Sequence, residues 1–389
     1  GGTTSGGTFP ILNPLVQYNP SATRDLFVTV FNPSGNALVY STGLGGGRNE
    51  RANDLALDRA GNVYAAGETS GLIGAGSFPT TAGAAQTAYG GGATDGFVIK
   101  IGNALVAQRR TPFDFDGDDK TDLAVWRPGE ATWYIRQSFN NALQTRQFGL
   151  SSDVPVAGDY DGDGHTETAV FRPSNGTWYI MQSLQNTFKA QQFGTSGDVP
   201  VPADYDGDGS TDIGVYRPSS GTWYILHSLT NNFRTENFGV SADQPVPADF
   251  DGDGKADLAV FRPGEGNWYI KQSLNGAVRA EHFGASGDRP LPGDYDGDGK
   301  ADITVFRPDN GTWYILNTAT TGPVFTARQW GLSTDLPTPG DYNGDGTTDL
   351  AVFRPSNGFW YILNMVEGTF RAEQFGQSGD LPVPGALIP

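Results

Sequence analysis

A unit of about 45 residues repeats six times in this chain, and this period limits the fold more than any other feature of the sequence. Every unit opens with an Asp-rich loop. The loops begin 45, 45, 45, 45 and 47 residues apart, at Asp114, Asp159, Asp204, Asp249, Asp294 and Asp341. The third unit has four strand-like stretches, at residues 200–205, 212–217, 222–228 and 234–239. Four short strands fill such a period, which is typical of one β-propeller blade and too long for helical repeats of about 33–34 residues.

Proline and glycine mark the turns between these strands. Arg-Pro pairs, as at Arg172-Pro173, end the second strand because proline cannot donate a hydrogen bond to a ladder. Asn-Gly pairs, at Asn175-Gly176 and Asn310-Gly311, follow a few residues later. They predict a two-residue hairpin turn before the third strand.

The repeated motif also resembles a known family. The pattern Asp-x-Asp-Gly-Asp-Gly-x-x-Asp, followed by Leu-Ala-Val-Phe-Arg-Pro and closed by Phe-Gly, resembles the FG-GAP and VCBS repeats of integrin α-subunit propellers and many bacterial surface proteins. The resemblance covers about residues 105–389 and implies a calcium-binding propeller. In the N-terminal third, residues 37–46, 52–69 and 78–102 resemble the SBBP β-propeller repeat. Strands are predicted there at residues 27–31, 37–42, 54–58, 62–66, 96–101 and 105–109.

The fold class predicted from these features is all-β, as a single propeller of four-stranded blades. Six blades come from the Asp-loop units and a seventh from residues 52–110. The hairpin at residues 27–42 and the last segment, 381–388, are not part of these seven blades. They either pair as a partial eighth blade that closes the ring through the two termini, or pack outside a seven-bladed ring. The predicted segments are a tail (1–24), SBBP-like strands (25–110), six Asp-loop blades (111–377) and a closing strand (378–389).

The Asp-rich loops have the composition of calcium sites. Carboxylate or amide side chains stand at positions 1, 3, 5 and 9, with Gly at position 4 and usually at position 6. Calcium takes about 6–8 oxygen ligands, and glycine allows the tight curl that wraps the chain around an ion. We therefore expect four side chains and the position-7 carbonyl of each loop to bind one Ca²⁺. The loops resemble only the first nine residues of an EF-hand loop, because they have no Glu at position 12.

The predicted ligands are, in loop order, Asp114, Asp116, Asp118, Asp122 and the Lys120 carbonyl; Asp159, Asp161, Asp163, Glu167 and the His165 carbonyl; Asp204, Asp206, Asp208, Asp212 and the Ser210 carbonyl; Asp249, Asp251, Asp253, Asp257 and the Lys255 carbonyl; Asp294, Asp296, Asp298, Asp302 and the Lys300 carbonyl; and Asp341, Asn343, Asp345, Asp349 and the Thr347 carbonyl. Two loops depart from the pattern. Asp119 replaces the position-6 Gly of the first loop, and Asn343 lowers the charge of the sixth. These two sites are expected to be the weakest.

Net charge supports up to six calcium ions. A lone Asp/Gly cluster is often only a turn. Six copies with three or four carboxylates within about 6 Å would repel strongly unless a cation lay among them. The predicted ligands include 23 of the 43 acidic residues, so six Ca²⁺ ions would change the formal charge from −18 to −6. Magnesium is disfavoured because it demands strict octahedral geometry. The acidity also disfavours nucleic acid and anionic membranes as partners.

Other repeated residues are predicted to be structural. Eight tryptophans lie in the repeats, where they either fill the wedge between blades or offer sugar-stacking platforms; packing is favoured. The Arg before each Arg-Pro proline is expected to form an inter-blade salt bridge or to bind carbonyls. His165, His227 and His282 fall at unrelated repeat positions, and no Gly-x-Ser-x-Gly or HExxH motif is present. No enzymatic activity is therefore expected.

The function expected from the sequence is that of a secreted or surface-displayed adhesion or structural module, since extracellular calcium is millimolar. A glycan-binding propeller and a propeller hydrolase are the alternatives, and the protein or glycan ligand is not identified. A third alternative is a filament subunit that self-associates through residues 1–22, because the apolar, Pro-containing stretch from Phe9 onward suits strand addition to a sheet edge. No run of 18 apolar residues occurs, so membrane insertion is not expected.

Overall fold

The structure, a computed structural model, describes residues 2–4, 25–31, 38–44, 49–57, 63–70, 93–101, 111–183, 187–228, 230–318 and 324–383. The chain divides into two compact units, Gly1–Arg109 and Arg110–Pro389. Among the described residues, the regular secondary structure is β-strand throughout, apart from one residue in a helical turn, Val383. The all-β prediction is therefore confirmed.

The first unit contains two three-stranded antiparallel sheets. Their strands are β1 (Gly2–Thr4), β2 (Asp25–Phe31), β3 (Leu38–Leu44), β4 (Glu50–Leu57), β5 (Val63–Thr69) and β6 (Asp95–Ile101), in the orders β1-β2-β3 and β4-β5-β6. A small core of Leu26, Val28, Leu44, Val63 and Ile101 joins them. Five of the six strands expected here are present with longer bounds, and the sixth, at residues 105–109, lies outside the described residues.

The described strands bear on two expectations for the first unit. Three of the four strands predicted in residues 52–110 form the sheet β4-β5-β6, and the fourth, at residues 105–109, lies outside the described residues. The hairpin β2-β3 takes its third strand from the start of the chain, because Gly2–Thr4 pairs with Asp25–Phe27. Residues 5–24 of the predicted tail lie outside the described residues. Of the segment 1–22, which is predicted to self-associate, only Gly2–Thr4 is described, and it pairs within its own chain.

The second unit contains six four-stranded antiparallel sheets. Its strands are β7 (Leu123–Arg127), β8 (Thr132–Arg136), β9 (Leu143–Gln147), β10 (Val154–Pro155), β11 (Thr168–Arg172), β12 (Thr177–Gln182), β13 (Thr187–Gln192), β14 (Val199–Pro200), β15 (Ile213–Arg217), β16 (Thr222–Leu226), β17 (Phe233–Asn237), β18 (Gln244–Pro245), β19 (Leu258–Arg262), β20 (Asn267–Lys271), β21 (Val278–His282), β22 (Arg289–Pro290), β23 (Ile303–Arg307), β24 (Thr312–Asn317), β25 (Val324–Gln329), β26 (Leu336–Pro337), β27 (Leu350–Arg354), β28 (Phe359–Leu363), β29 (Phe370–Gln374) and β30 (Leu381–Pro382). Sheet 1 has the order β30-β7-β8-β9, and sheets 2 to 6 are β10–β13, β14–β17, β18–β21, β22–β25 and β26–β29.

Burial follows strand position within each sheet. The second strand is apolar and buried on both faces, as in Leu258–Arg262. The third strand alternates, with Trp and Ile buried and Tyr partly exposed, and the fourth strand is mostly exposed. Seven tryptophans are at most 1% exposed, namely Trp126, Trp133, Trp178, Trp223, Trp268, Trp313 and Trp360. This burial confirms the packing role over the sugar-stacking role for these seven.

The last strand of the chain belongs to sheet 1, which corrects the predicted pairing of the two termini. Leu381–Pro382 pairs with Val125 and Trp126 of β7, not with the hairpin β2-β3. In sheets 2 to 6 the first strand is a two-residue segment ending in Pro, supplied by the end of the preceding repeat. No earlier Asp-loop unit can supply this strand to sheet 1, so the last repeat supplies it from the C-terminal end.

Hydrogen bonds link each Asp loop to the next, including the sixth to the first. In every case the amide of position 8 donates to the position-1 carbonyl of the preceding loop. The six bonds are Thr166 to Asp114 (2.6 Å), Thr211 to Asp159 (2.6 Å), Ala256 to Asp204 (2.7 Å), Ala301 to Asp249 (2.7 Å), Thr348 to Asp294 (2.7 Å) and Thr121 to Asp341 (2.7 Å). Each loop is therefore held by both of its neighbours.

The turn between the second and third strands is longer than predicted. Arg172 pairs with Thr177, so four residues form the loop, and the Gly176 amide donates to the Arg172 carbonyl at 2.9 Å. Only Gly176 in this loop adopts a positive φ, of 65°. The two-residue prediction was wrong because Pro173 cannot join the ladder, so the strand ends before it.

Candidate metal centres in the Asp loops

The position-1 carboxylate sets the curl of each loop. In the third loop, Asp204 Oδ1 accepts the Gly207 amide at 2.6 Å and Asp204 Oδ2 accepts the Gly209 amide at 2.8 Å. Both glycines have positive φ, 79° and 85°, a conformation that costs little without a Cβ. The same position-4 bond is made by Asp114, Asp159, Asp249, Asp294 and Asp341. In the first loop Asp119 takes position 6 with φ of 64°, where the other five loops have Gly.

The position-9 carboxylate ties each loop to the turn after the third strand. Asp257 is fully buried; its Oδ2 accepts the Phe250 amide at 2.9 Å and its Oδ1 the Ser273 amide at 2.6 Å. The equivalent bonds are made by Asp122, Glu167, Asp212, Asp302 and Asp349. The predicted position-9 ligands therefore lie beneath the loops, at their contact with the sheets.

A hydroxyl that sequence reasoning missed contacts the position-5 carboxylate. Ser228 Oγ donates to Asp208 at 2.8 Å, and Ser273 Oγ donates to Asp253 at 2.8 Å. The equivalent donors are Ser138 to Asp118 (2.7 Å), Ser183 to Asp163 (2.9 Å) and Thr318 to Asp298 (3.2 Å). The signal was in the sequence, because a Ser or Thr recurs 20 residues after position 5 in these five units. The sixth unit has Met365 instead.

The position-3 carboxylate supplies a test of whether a cation fits. Asp116 Oδ2 accepts the Phe139 amide at 3.1 Å, whereas Asp116 Oδ1 is buried and, within the described part of the chain, has no hydrogen-bond partner. A buried anionic oxygen without a donor is costly, and a hard cation would satisfy it. All-oxygen side chains around it match the donor set that calcium prefers.

The structure brings the predicted ligands together to different degrees. In the second loop all four, Asp159, Asp161, Asp163 and Glu167, offer oxygens within 4.8 Å of one another. Three converge in the first, third and fourth loops, namely Asp114, Asp116 and Asp122; Asp204, Asp206 and Asp208; and Asp249, Asp251 and Asp257. The position-7 residues whose carbonyls were predicted as ligands, such as Lys255, donate their amides to the position-5 carboxylate, here Asp253 at 2.9 Å.

Burial raises the pKa of the loop carboxyls. It raises the pKa of Asp122, Glu167, Asp257 and Asp349 to about 7, although amide donors to each of them act in the opposite direction. The same cause raises the pKa of Asp204 to about 7 and those of Asp114 and Asp302 to about 6. Neighbouring carboxylates add to the shift in each case. The loops thus concentrate negative charge where water does not stabilise it.

Two loops carry distinctive substitutions. In the sixth, Asn343 Nδ2 donates a hydrogen bond to Asp345 Oδ2 at 2.8 Å. This amide therefore stabilises the negative charge of Asp345 in part, as a bound cation would. In the third, His227 Nδ1 lies 3.0 Å from Asp212 Oδ2 and 3.5 Å from Asp206 Oδ2. The other five units have Gln or Asn at the position of His227.

The repeated arginines form the ion pairs expected of them, but within one sheet. Arg262 Nε donates to Asp243 Oδ1 at 2.7 Å, and its guanidinium lies 4.4 Å from the ring centroid of Tyr269. Asp243 stands immediately before the first strand of the same sheet. The same pairs join Arg172 to Asp153, Arg217 to Asp198, Arg307 to Asp288, Arg354 to Asp335 and Arg127 to Asp380.

The family-model comparison matches this repeat. The FG-GAP-like repeat model matches residues 114–170, 159–215, 204–260, 249–305 and 294–352, which together span 239 of the 389 residues. The chain belongs to the FG-GAP-like repeat family. The FG-GAP-like repeats thus occupy the second unit of the structure, and the predicted family is confirmed.

Several solved structures are similar to this FG-GAP-like repeat protein. A lectin from Agrocybe aegerita that recognises non-reducing terminal N-acetylglucosamine is 19% identical over 65% of this chain and 75% of its own, with a TM-score of 0.45. A virginiamycin B lyase from Staphylococcus aureus is 8% identical over 70% and 96%, with a TM-score of 0.43. A functionally unknown protein from Desulfotomaculum acetoxidans is 12% identical over 66% and 81%, with a TM-score of 0.41. No curated protein matches this chain.

The described residues of the FG-GAP-like repeat protein include no helix that is long and apolar enough to cross a membrane. Its three histidines lie apart. His165 Nδ1 is 3.4 Å from the Phe115 carbonyl of the preceding loop, and His282 Nδ1 is 2.8 Å from Asn267 Oδ1 on an exposed strand.

Proposed function

We propose that residues 110–389 form a closed six-bladed β-propeller that binds up to six Ca²⁺ ions in its Asp loops. In this proposal the protein is a non-enzymatic, extracellular or cell-surface module for adhesion or structural support. The observation that supports closure is the pairing of β30 with β7, together with the hydrogen bond from the Thr121 amide to the Asp341 carbonyl. In this proposal the propeller has six blades, whereas the sequence led us to expect seven complete blades with a possible partial eighth.

The support for calcium is the chemistry of the loops. Buried carboxylates in each loop are hydrogen-bonded into fixed positions by backbone amides, and Asp116 Oδ1 has no donor within the described residues. A divalent cation bound there would neutralise charge that burial now opposes. Six ions would remove two thirds of the formal charge of −18. Calcium is favoured over magnesium because the donors of each loop are many and all oxygen, whereas magnesium usually keeps several of its waters.

The proposed role as an adhesion or structural module follows from where calcium is abundant. Extracellular calcium reaches the range at which weak sites of this kind fill, about 10⁻⁴–10⁻³ M. A closed ring held by ions would be stable there without disulfides, and the chain has no cysteine. We propose no catalytic role for the loop carboxylates, because backbone amides already occupy both oxygens of position 1 and of position 9.

Calcium stoichiometry tests the proposal. Native mass spectrometry of the metal-free protein titrated with CaCl₂ should show up to six bound ions, and equimolar MgCl₂ should displace few of them. A fully depleted protein that binds no calcium at millimolar concentration would contradict it. Self-association through residues 1–22 remains a proposal. Full-length protein that is strictly monomeric at high concentration with calcium present would exclude it.

A further inference from the structure

A cavity of about 560 Å³ lies between sheets 4 and 5. Its walls include Arg279 and Glu281 of β21 on one side, and Leu316 and Asn317 of β24 on the other. Phe250 and Asp251 of the fourth loop and Lys300 of the fifth also line the cavity. This volume lies within the range of small-molecule sites in proteins, about 300–1,000 Å³.

At the position of this cavity, two other sheet boundaries carry a salt bridge that is not found here among the described residues. Between sheets 3 and 4, Lys271 at the end of the third strand forms an ion pair with Glu236 of the preceding sheet. Between sheets 6 and 1, Arg136 pairs with Glu373 at 3.3 Å in the same way. Leu316 holds the position of Lys271, since it pairs with Ile303 as Lys271 pairs with Leu258.

The carboxylate opposite Leu316 is therefore without its counter-ion. Glu281 faces Trp268 across the ladder as Glu236 faces Trp223, so the two glutamates are equivalent. No salt bridge of Glu281 occurs within the described part of the chain. A leucine side chain is shorter than lysine and carries no charge, so it leaves both the space and the carboxylate unfilled.

Two further polar atoms in this cavity have no partner among the described residues. Arg279 Nε and Asn317 Oδ1 are both buried there without a hydrogen bond. At the equivalent position in sheet 6, Arg371 donates to the Tyr342 carbonyl at 3.4 Å and lies 3.4 Å from Glu373. Buried polar groups are normally paired, so a donor and an acceptor left open in one cavity indicate a ligand.

We propose that this cavity binds a single acidic sugar residue, of the size of a hexuronate. The sugar carboxylate would accept from Arg279, whose Nε has no partner among the described residues, and sugar hydroxyls would donate to Glu281 and to Asn317 Oδ1. Charged hydrogen bonds of the Arg–carboxylate type are the strong ones, so the carboxylate carries most of the selectivity. Phe250 and Leu316 give the apolar contact that a pyranose ring requires. This site adjoins the fourth and fifth Asp loops and would give the proposed propeller a ligand other than calcium.

The test is binding of free D-glucuronate to the full-length protein at saturating calcium, measured by ligand-observed and ¹⁵N-detected NMR titration. D-glucose, which lacks the carboxylate, and D-glucosamine, which carries a cation instead, are the comparison probes. Glucuronate should bind saturably and at least ten times more tightly than either. No saturable binding of glucuronate, equal binding of glucose, or tighter binding of glucosamine would overturn the proposal.

Matched variants locate the site. L316K should place a lysine opposite Glu281, as Lys271 lies opposite Glu236, and so close the cavity and weaken glucuronate binding at least tenfold. R279Q should reduce the preference of glucuronate over glucose to near one. R234Q, at the equivalent position of sheet 3, should leave binding unchanged. Unchanged affinity in both L316K and R279Q, or an equal loss in R234Q, would show that the sugar binds elsewhere.

Discussion

Arg127 Nε donates to Asp380 Oδ1 at 2.7 Å, and this ion pair joins two residues that are 253 positions apart. In sheets 2 to 6 the same pair spans only 19 residues, as between Arg262 and Asp243. The geometry is identical in kind: the Asp is buried, the Arg is partly exposed, and the guanidinium lies over a Tyr ring, here Tyr134 at 4.3 Å. Sheet 1 is therefore completed by the far end of the chain. We expect the stability of the proposed ring to depend on this contact, which has a high loop-closure cost.

Removal of the closing strand should destabilise the second unit as a whole. Deletion of residues 378–389 removes β30 and Asp380, which leaves sheet 1 with three strands and Arg127 without its carboxylate. We expect a clear fall in melting temperature and faster proteolysis within sheet 1. Deletion of residues 384–389 alone is the control and should change neither. Equal melting temperatures for the two deletions would show that the strand does not close the ring.

Asp380 and Asp243 allow the ion pair to be separated from the strand. Loss of one partner of a buried pair costs about 3–5 kcal/mol, and less when the other partner reaches solvent. Because Arg127 is 18% exposed and Arg262 is 24% exposed, we expect about 1–3 kcal/mol for either Asp380→Ala or Asp243→Ala in urea unfolding. A much larger effect at Asp380 would indicate that closure depends on this one residue.

Chelation of calcium should lower the melting temperature by more than about 10 °C. Six ions that each contribute about 1–2 kcal/mol would together be comparable with the total stability of an ordinary domain. Differential scanning calorimetry with excess EDTA, then with calcium restored, measures the change. Magnesium at the same concentration should restore little of it. If the melting curve in EDTA were unchanged, calcium would not hold this fold.

The six sites should differ in strength. Asp251→Ala removes a carboxylate from a regular loop, whereas Asn343→Ala removes a neutral amide that already donates to Asp345. The calcium-induced rise in melting temperature should therefore fall more in Asp251→Ala. In EDTA the two variants should differ less, because the cation no longer distinguishes them. A similar loss of calcium response in both would mean that local charge does not set the strength of a site.

The repeat and the loops could be predicted from the sequence because their signals are local. Strand positions, the Asp at loop position 1, the Asp or Glu at position 9 and the buried Trp of each third strand all recur at a nearly fixed period, so the pattern of one unit predicts the others. The origin of the strand paired with β7 could not be predicted in this way. Leu381-Pro382 repeats the pattern of Val154-Pro155, but its partner lies in the first repeat rather than in the next.

Contacts between distant strands were harder to predict than the strands themselves. The Ser or Thr that recurs 20 residues after loop position 5 could be seen in the sequence, but the contact of Ser228 with Asp208 follows from the turn after β16, which folds back towards its own loop. The cavity beside Glu281 lies where Leu316 takes the position that Lys271 has in sheet 4. That Glu281 and Leu316 oppose each other is visible only once the register between sheets is known. A linear pattern does not show which side chains of two adjacent repeats oppose one another.

Stability should depend on pH differently with and without calcium. Burial raises the pKa of four position-9 carboxyls, Asp122, Glu167, Asp257 and Asp349, to about 7. In an unfolded chain the pKa of the same groups is about 4. Without a cation the folded protein therefore holds these protons more tightly than the unfolded chain. The stability that results is complete below about pH 4 and is lost as the pH rises through about 7.

In EDTA, the melting temperature should accordingly fall between pH 5 and pH 8. Calcium binds the ionised carboxylates, so at saturating CaCl₂ the melting temperature should stay level or rise over the same interval, and the stabilisation by calcium should be largest at pH 8. Calorimetry at four pH values in both conditions measures this. Asp257→Asn serves as the matched variant, since it removes one titrating carboxyl while it retains an acceptor for the Phe250 amide. It should flatten part of the slope in EDTA and lower the calcium response at pH 8. A melting temperature in EDTA that rises from pH 5 to pH 8 would show that these carboxyls are not the groups that oppose folding in the absence of calcium.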